Sequence, residues 1–148
     1  LQIALAADLR MTTADAQWSV LEAKWGLVPD MSGIQALSQQ VRMDVAKRLT
    51  MTGEVVSGER AVDLGLASEV HADPVAAATA FIEQVATRSP DAVAATKRLF
   101  GRTWSSSDRR TFARERIEQA KLLATKNTTI AREAAMKRAV PAFDPRRR

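Results

Sequence analysis

Between Leu21 and Gly33 the chain reads LEAKWGLVPDMSG, and two of these residues, Gly26 and Pro29, interrupt any regular helix between its two acids. Any fold this chain adopts must therefore turn sharply at this point. The turn carries two acids, Glu22 and Asp30, on irregular backbone beside the apolar residues Trp25, Leu27 and Val28. A carboxylate against an apolar wall is one way an enzyme tunes an acid for proton transfer. The alternative is structural: Glu22 caps a turn and Asp30 caps the next helix.

Around this break the sequence reads as mostly helical. Leu1–Leu9 is apolar and Ala-rich, with helical character. The segments 10–13 and 17–20 read as short strand-like pieces. A helix opens at Ser32 or Gly33 and runs to Val41. Asp44 reads as the N-cap of a helix over Val45–Met51, closed by Gly53. Ser57 and Arg60 begin another, with Ala61, Val62 and Leu64 inward and Gly65 as its C-cap. Residues 67–71 form a short edge strand. Asp73-Pro74 is a strong helix start, a capping side chain followed by proline, and that helix reaches about Arg88. Ser89-Pro90 repeats the signal for a helix over Asp91–Phe100. Ser107-Asp108 begins a long helix to about Thr125, with Phe112, Ile117, Ala120, Leu123 and Ala124 at near-helical spacing. Asn127 or Thr128 caps a last helix to about Ala139, before Pro141. The division falls near Asp73, giving an α/β part over 1–72 and a helical region over 73–148.

Composition narrows the function classes. The 148 residues suffice for one domain with a core, and 46% hydrophobic content fits a globular protein. No run approaches the roughly 20 apolar residues of a membrane span, and no signal-peptide pattern is visible. The chain has no Cys and one His, His71. Disulfides and Cys-based zinc sites are excluded, a His-rich metal site has too few ligands, and a cytoplasmic location is expected. We read His71 as a surface residue near a strand end.

The net charge of +5 is uneven: residues 1–100 carry −3 and residues 101–148 carry +8. Three readings are open: a solvated helical face with a frayed Arg146–Arg148 end, phosphate contacts, or nucleic acid. Aromatics make up 5% and Tyr is absent, which supplies few stacking platforms and argues against a nucleic-acid partner. Trp25, Trp104, Phe81, Phe100 and Phe112 read as core and interface packing.

Two longer stretches carry a family resemblance. LQIALAADLRMTTADAQWSVLEAKWGLVPDMSGIQAL resembles the segment that follows the Gly-rich turn in the crotonase family, the enoyl-CoA hydratases and isomerases. LTMTGEVVSGERAVDLGLASEV resembles the family's later pattern at Thr52, Gly53, Ala61, Gly65, Leu66 and Val70, and SPDAVAATKRLF resembles a later family helix. The resemblance covers essentially the whole chain. It implies an α/β fold, the C-terminal part of a crotonase-like (ClpP/crotonase) spiral with a mostly helical trimerisation region. It implies a homo-oligomer, trimer or hexamer, with the N-terminal half supplied by the same or a second chain. The family's two backbone oxyanion donors lie upstream, so neither is expected among these residues, and the chain alone is expected to be inactive.

The chemistry implied is enolate stabilisation and proton transfer on a coenzyme A thioester, by a lyase or isomerase of fatty-acid metabolism. No separate cofactor is needed, because coenzyme A is part of the substrate. Glu22 matches the family glutamate that handles the α-carbon proton. The second family glutamate aligns with Gln2, whose amide is no base at neutral pH, although it could position a water. Some members, including a dienoyl-CoA isomerase and a dehalogenase, use an Asp at the position of Asp30. Glu22 with Asp30 favours moving a double bond over hydration. Trp25, Gly26, Leu27 and Val28 are the expected substrate-side wall. MKRAVPAF resembles the family's terminal basic-then-Phe segment, which makes Lys137 and Arg138 candidates for coenzyme A phosphate contacts. Two further readings stay open: a non-catalytic crotonase-like subunit or relic that assembles through its helical tail, and an RNA-binding role known in one family member.

Overall fold

A computed structural model of the chain describes residues 1–146; Arg147 and Arg148, at the charged end singled out above, lie outside the described residues. The chain forms two compact units, Leu1–Thr79 and Ala80–Arg148.

The first unit begins with α1 (Gln2–Leu5), β1 (Met11–Thr12) and β2 (Trp18–Ser19), followed by a 3₁₀ turn at Glu22–Trp25. Then come α2 (Gly33–Gln40), α3 (Met43–Thr52), β3 (Val55–Val56), α4 (Gly58–Leu64) and β4 (Glu69–Val70). β1 pairs with β4 in parallel, Met11 opposite Glu69 and Thr12 opposite Val70. β2 pairs antiparallel with β3, Trp18 opposite Val56 and Ser19 opposite Val55. The two expected strand pieces thus exist, but each takes a distant partner.

The core of this unit is Leu5, Val20, Leu37, Leu49, Ala61, Leu66 and Ala67. Leu5 and Leu37 bring α1 against α2, and Leu49 of α3 lies in the same cluster. Burying such side chains contributes about 1.5–3 kcal/mol each. Ser57 caps α4 as expected, its hydroxyl accepting from the Arg60 N–H at 3.2 Å. Gly53 and Gly65 close α3 and α4 in left-handed conformation, with φ of 60° and 86°.

Three local expectations are corrected. The opening helix stops at Leu5 rather than Leu9: the Ala6 and Ala7 N–H groups bond three residues back, to Ile3 and Ala4, and the Ala7 carbonyl accepts from the Arg10 side chain at 2.7 Å. Asp44 is not a cap: α3 starts earlier, at Met43, and Asp44 sits in its first turn, ion-paired to Arg42 at 2.8 Å. A carboxylate there still complements the helix dipole. The strand β3 was not expected, since Val55-Val56 lies between two caps and is ordered only by β2.

Helix α5 (Pro74–Ala86) runs across the division between the units; the Asp73 carboxylate caps it, accepting from the N–H groups of Val75 and Ala76. The second unit contains α6 (Pro90–Thr103), α7 (Asp108–Leu123) and α8 (Lys126–Lys137), packed on one another. Ser89 caps α6 through the Ala92 N–H. The cap of α8 is Thr125 rather than Asn127 or Thr128. Asn127 is instead buried: its side chain donates to Asp91 and to the Asp144 carbonyl and accepts from the Asp144 N–H.

The apolar stripe of α7 does not face this unit's interior. Phe112, Ile117 and Leu123 are exposed, and the buried residue of α7 is Glu118, paired with Arg98 at 2.6 Å and Lys121 at 3.4 Å. Phe100 and Trp104 meet as a tilted pair, ring centres 5.6 Å apart and planes at 49°, and both stay exposed. Among the described residues no helix is long and apolar enough to cross a membrane.

Candidate active site

The Glu22–Trp25 turn ends at Gly26, whose φ of 71° only glycine adopts without strain. Its last bonds run from Gly26 N–H to the Ala23 carbonyl and from Leu27 N–H to the Glu22 carbonyl. The turn packs on α3. Glu22 is therefore the first residue of a short 3₁₀ helix rather than on irregular backbone, and Gly26 is where that helix ends.

The Glu22 carboxylate meets Gln2, twenty positions earlier. The Gln2 amide Nε2 donates to Glu22 Oε1 at 2.5 Å. The other end of the same amide, Oε1, accepts from the Met31 N–H at 2.9 Å. Glu22 Oε2 is buried and has no hydrogen-bond partner among the described residues. An unsatisfied buried carboxylate oxygen is costly and uncommon, which singles this atom out.

Gly33 closes the arrangement. A Cβ there would lie 2.6 Å from Gln2 Oε1 and 2.7 Å from the Cβ of Pro29. Pro29 itself is buried. Before Gly33, Ser32 takes a left-handed conformation, φ 60°, at the cap position of α2. Asp30 is thus not the cap of α2; it is exposed, with no hydrogen bond or ion pair among the described residues. Sequence reasoning missed Gly33, Pro29 and the Met31 N–H as site parts, although the Pro-x-x-x-Gly spacing is the visible signal for a tight approach.

The expected wall is open in this unit. Trp25, Leu27 and Val28 are 78%, 64% and 71% exposed, and Ile3, Met31 and Ile34 are exposed too. Gly26 has open space where a side chain would be. Lys137 and Arg138 belong to the second unit, at the end of α8; Lys137 lies 3.9 Å from Glu133, and Arg138 is left-handed at φ 52°. The structure thus brings Gln2 and Glu22 together and leaves Asp30 on the surface. His71 pairs with Glu69 at 2.7 Å at the end of β4. A cavity of about 660 Å³ elsewhere in the first unit is lined by Arg42, Arg48 and Arg60, each paired with an acid, and by none of the candidate residues.

Known proteins share this arrangement of chain. The enoyl-CoA hydratase/isomerase family matches residues 1–144. The (E)-benzylidenesuccinyl-CoA hydratase of Thauera aromatica is 37% identical over 100 residues, which is 66% of this chain and 39% of that protein. The carnitinyl-CoA dehydratase of Proteus mirabilis is 30% identical over 104 residues, 69% of this chain and 40% of that one. An enoyl-CoA hydratase structure from Polaromonas sp. JS666 superposes with a TM-score of 0.90 at 28% identity, covering 97% of this chain and 56% of that one. One from Mycobacterium tuberculosis H37Rv gives 0.90 at 30% identity, with 97% and 58% covered. The chain spans about two-fifths of the curated relatives and somewhat over half of these solved chains. With a matching family profile along nearly its whole length and the same backbone, it belongs to the enoyl-CoA hydratase/isomerase family and carries part of the crotonase fold.

Proposed function

We propose that this chain supplies the acid-bearing part of an enzyme acting on an acyl thioester of coenzyme A, with Glu22 transferring the α-carbon proton. The observation that carries this reading is the Glu22 carboxylate: one oxygen is tied to Gln2, and the other is buried and unpartnered. One held oxygen and one oxygen with no donor support Glu22 as the group that takes the proton from carbon.

In the step proposed, Glu22 Oε2 takes the proton, and the C–H electron pair moves to the thioester oxygen as an enolate. Returning that proton to the γ-carbon moves a double bond, with no second acid required. Hydration needs a further group to take a proton from water, and the Gln2 amide is no base. The names of the two relatives, a hydratase and a dehydratase, favour water chemistry on a thioester. A family fold completed by the residues that hold the oxyanion donors supports either outcome.

Assembly into a homo-oligomer is part of the proposal. The exposed apolar side chains of Phe100, Trp104, Phe112 and Ile117 on the second unit support this. Lys137 and Arg138 are proposed as phosphate contacts for coenzyme A.

The test is turnover of crotonyl-CoA and a 3-enoyl-CoA by the protein with its family fold complete. Glu22→Gln should lower kcat by roughly 10²–10⁴-fold, with thioester affinity little changed. Parental kcat on both substrates would refute the assignment.

A further inference from the structure

We propose that Gln2 is a positioning residue that decides which oxygen of Glu22 takes the proton, and that Gly33 is the space that allows it. This rests on the reading of Glu22 above.

The orientation of the Gln2 amide is forced by its neighbours. The Met31 N–H only donates, so the amide oxygen faces it at 2.9 Å. The amide nitrogen then faces Glu22 and donates to its Oε1. Both ends of one amide are used, so Gln2 is fixed against the Met31 backbone and holds Glu22 Oε1 in turn. The two oxygens of Glu22 become inequivalent. Oε1 has a donor, and Oε2 is buried with none. Proton transfer is thereby directed to Oε2.

Gly33 sets the room for this clamp. A side chain there meets Gln2 Oε1 at 2.6 Å, Gln2 Cδ at 3.0 Å and Pro29 Cβ at 2.7 Å. The proline ring is rigid and buried, so the amide is what gives way. Residue 2 also sets the number of acids in the site. A glutamate at this distance from Glu22 puts two carboxylates in hydrogen-bond contact, and the pair then shares a proton. With Gln2 the site holds one titrating acid, suited to moving one proton between two carbons.

The test is a double-mutant cycle, with α-proton exchange of an acyl-CoA into deuterated water as the readout and the family fold complete. Gln2→Met keeps an unbranched side chain and removes both hydrogen bonds. It should lower kcat for exchange roughly 10- to 10²-fold, the scale of a misplaced reacting group, with KM within about twofold of parent. In the Glu22→Gln background Gln2→Met should cause no further loss, because its effect runs through Glu22. Equal losses in both backgrounds, or parental kcat for Gln2→Met, overturn the positioning role and leave Glu22 standing. Parental exchange in Glu22→Gln overturns both assignments. If Gln2→Met does not fold, Gly33→Ala decides: a lower kcat at parental KM supports the clamp, and parental kcat overturns it.

Discussion

Replacing Arg10 with Met should destabilise the first unit by about 2–4 kcal/mol. Arg10 is buried, 8% exposed, and its guanidinium is held by two backbone carbonyls and a side-chain amide. Its guanidinium donates to the Leu66 carbonyl at 2.6 Å, the Ala7 carbonyl at 2.7 Å and Gln40 Oε1 at 2.9 Å. These three acceptors lie after α4, after α1 and at the end of α2, so one side chain fastens three elements. Leu66 is fully buried, and its carbonyl stays dry without Arg10, at a cost of about 1–3 kcal/mol. Ala7 is exposed and Gln40 half-buried, so water recovers part of those two bonds. Burial pushes the Arg10 guanidinium below its usual range, a sign that the charge is costly inside; removing it returns part of the loss. Met keeps the stem volume, so no large cavity forms. Urea unfolding followed by tryptophan emission, with Trp25 and Trp104 replaced by Phe so that Trp18 alone reports, measures the change, since Trp18 lies in this unit and donates to Thr12 at 3.0 Å. With a slope of about 2 kcal/mol per molar, the midpoint should fall by about 1–2 M. Arg10→Lys should recover less than half, because an ammonium cannot span the three acceptors. A midpoint within about 0.3 M of parent for Arg10→Met would contradict the reasoning.

Three other outcomes follow from the packing and electrostatics. Gly58→Ala places a Cβ 1.8 Å from the Thr13 carbonyl oxygen, so backbone must move, and a loss of about 3 kcal/mol or more is expected in the same urea assay. The Arg98 hydrogen bond, followed by Coulomb attraction from Arg98 and Lys121, holds the Glu118 carboxyl below its ordinary value of 4.5 against the opposing effect of burial. Its stabilisation is therefore full above that value and lost as pH falls through the lowered native one; Glu118→Gln should remove this part of the acid-unfolding curve, read by circular dichroism. Asn127→Ala removes the bonds to both backbone groups of Asp144, and hydrogen exchange at the Asp144 amide should speed at least tenfold, the factor for about 1.4 kcal/mol.

Helix starts and stops were the most legible part of the sequence, because they are local chemistry. Ser57, Asp73 and Ser89 cap the helices they announce, and Gly53 and Gly65 close theirs. The residues that depend on distant partners were not legible. Val55-Val56 pairs as a strand with Trp18-Ser19, and just past α1 the Ala7 carbonyl is taken by the Arg10 side chain. The apolar residues of α7 are exposed and Glu118 is the buried one, because near-helical spacing names a face but not what, if anything, packs on it. At the site, family resemblance drew attention to Gln2 and Glu22 separately. Their direct contact, and the glycine that makes room for it, needed coordinates.

The central claim is that Glu22 moves the α-proton of an acyl thioester. A saturated substrate such as butyryl-CoA isolates that step, since it has no double bond to hydrate or move. With the family fold complete, the parent protein should exchange the α-hydrogens of butyryl-CoA for deuterium, read by mass spectrometry. Glu22→Gln should slow this exchange by roughly 10²–10⁴-fold while butyryl-CoA still binds, and Asp30→Asn should slow it less. Exchange at the parental rate in Glu22→Gln, or a loss confined to Asp30→Asn, would contradict the account.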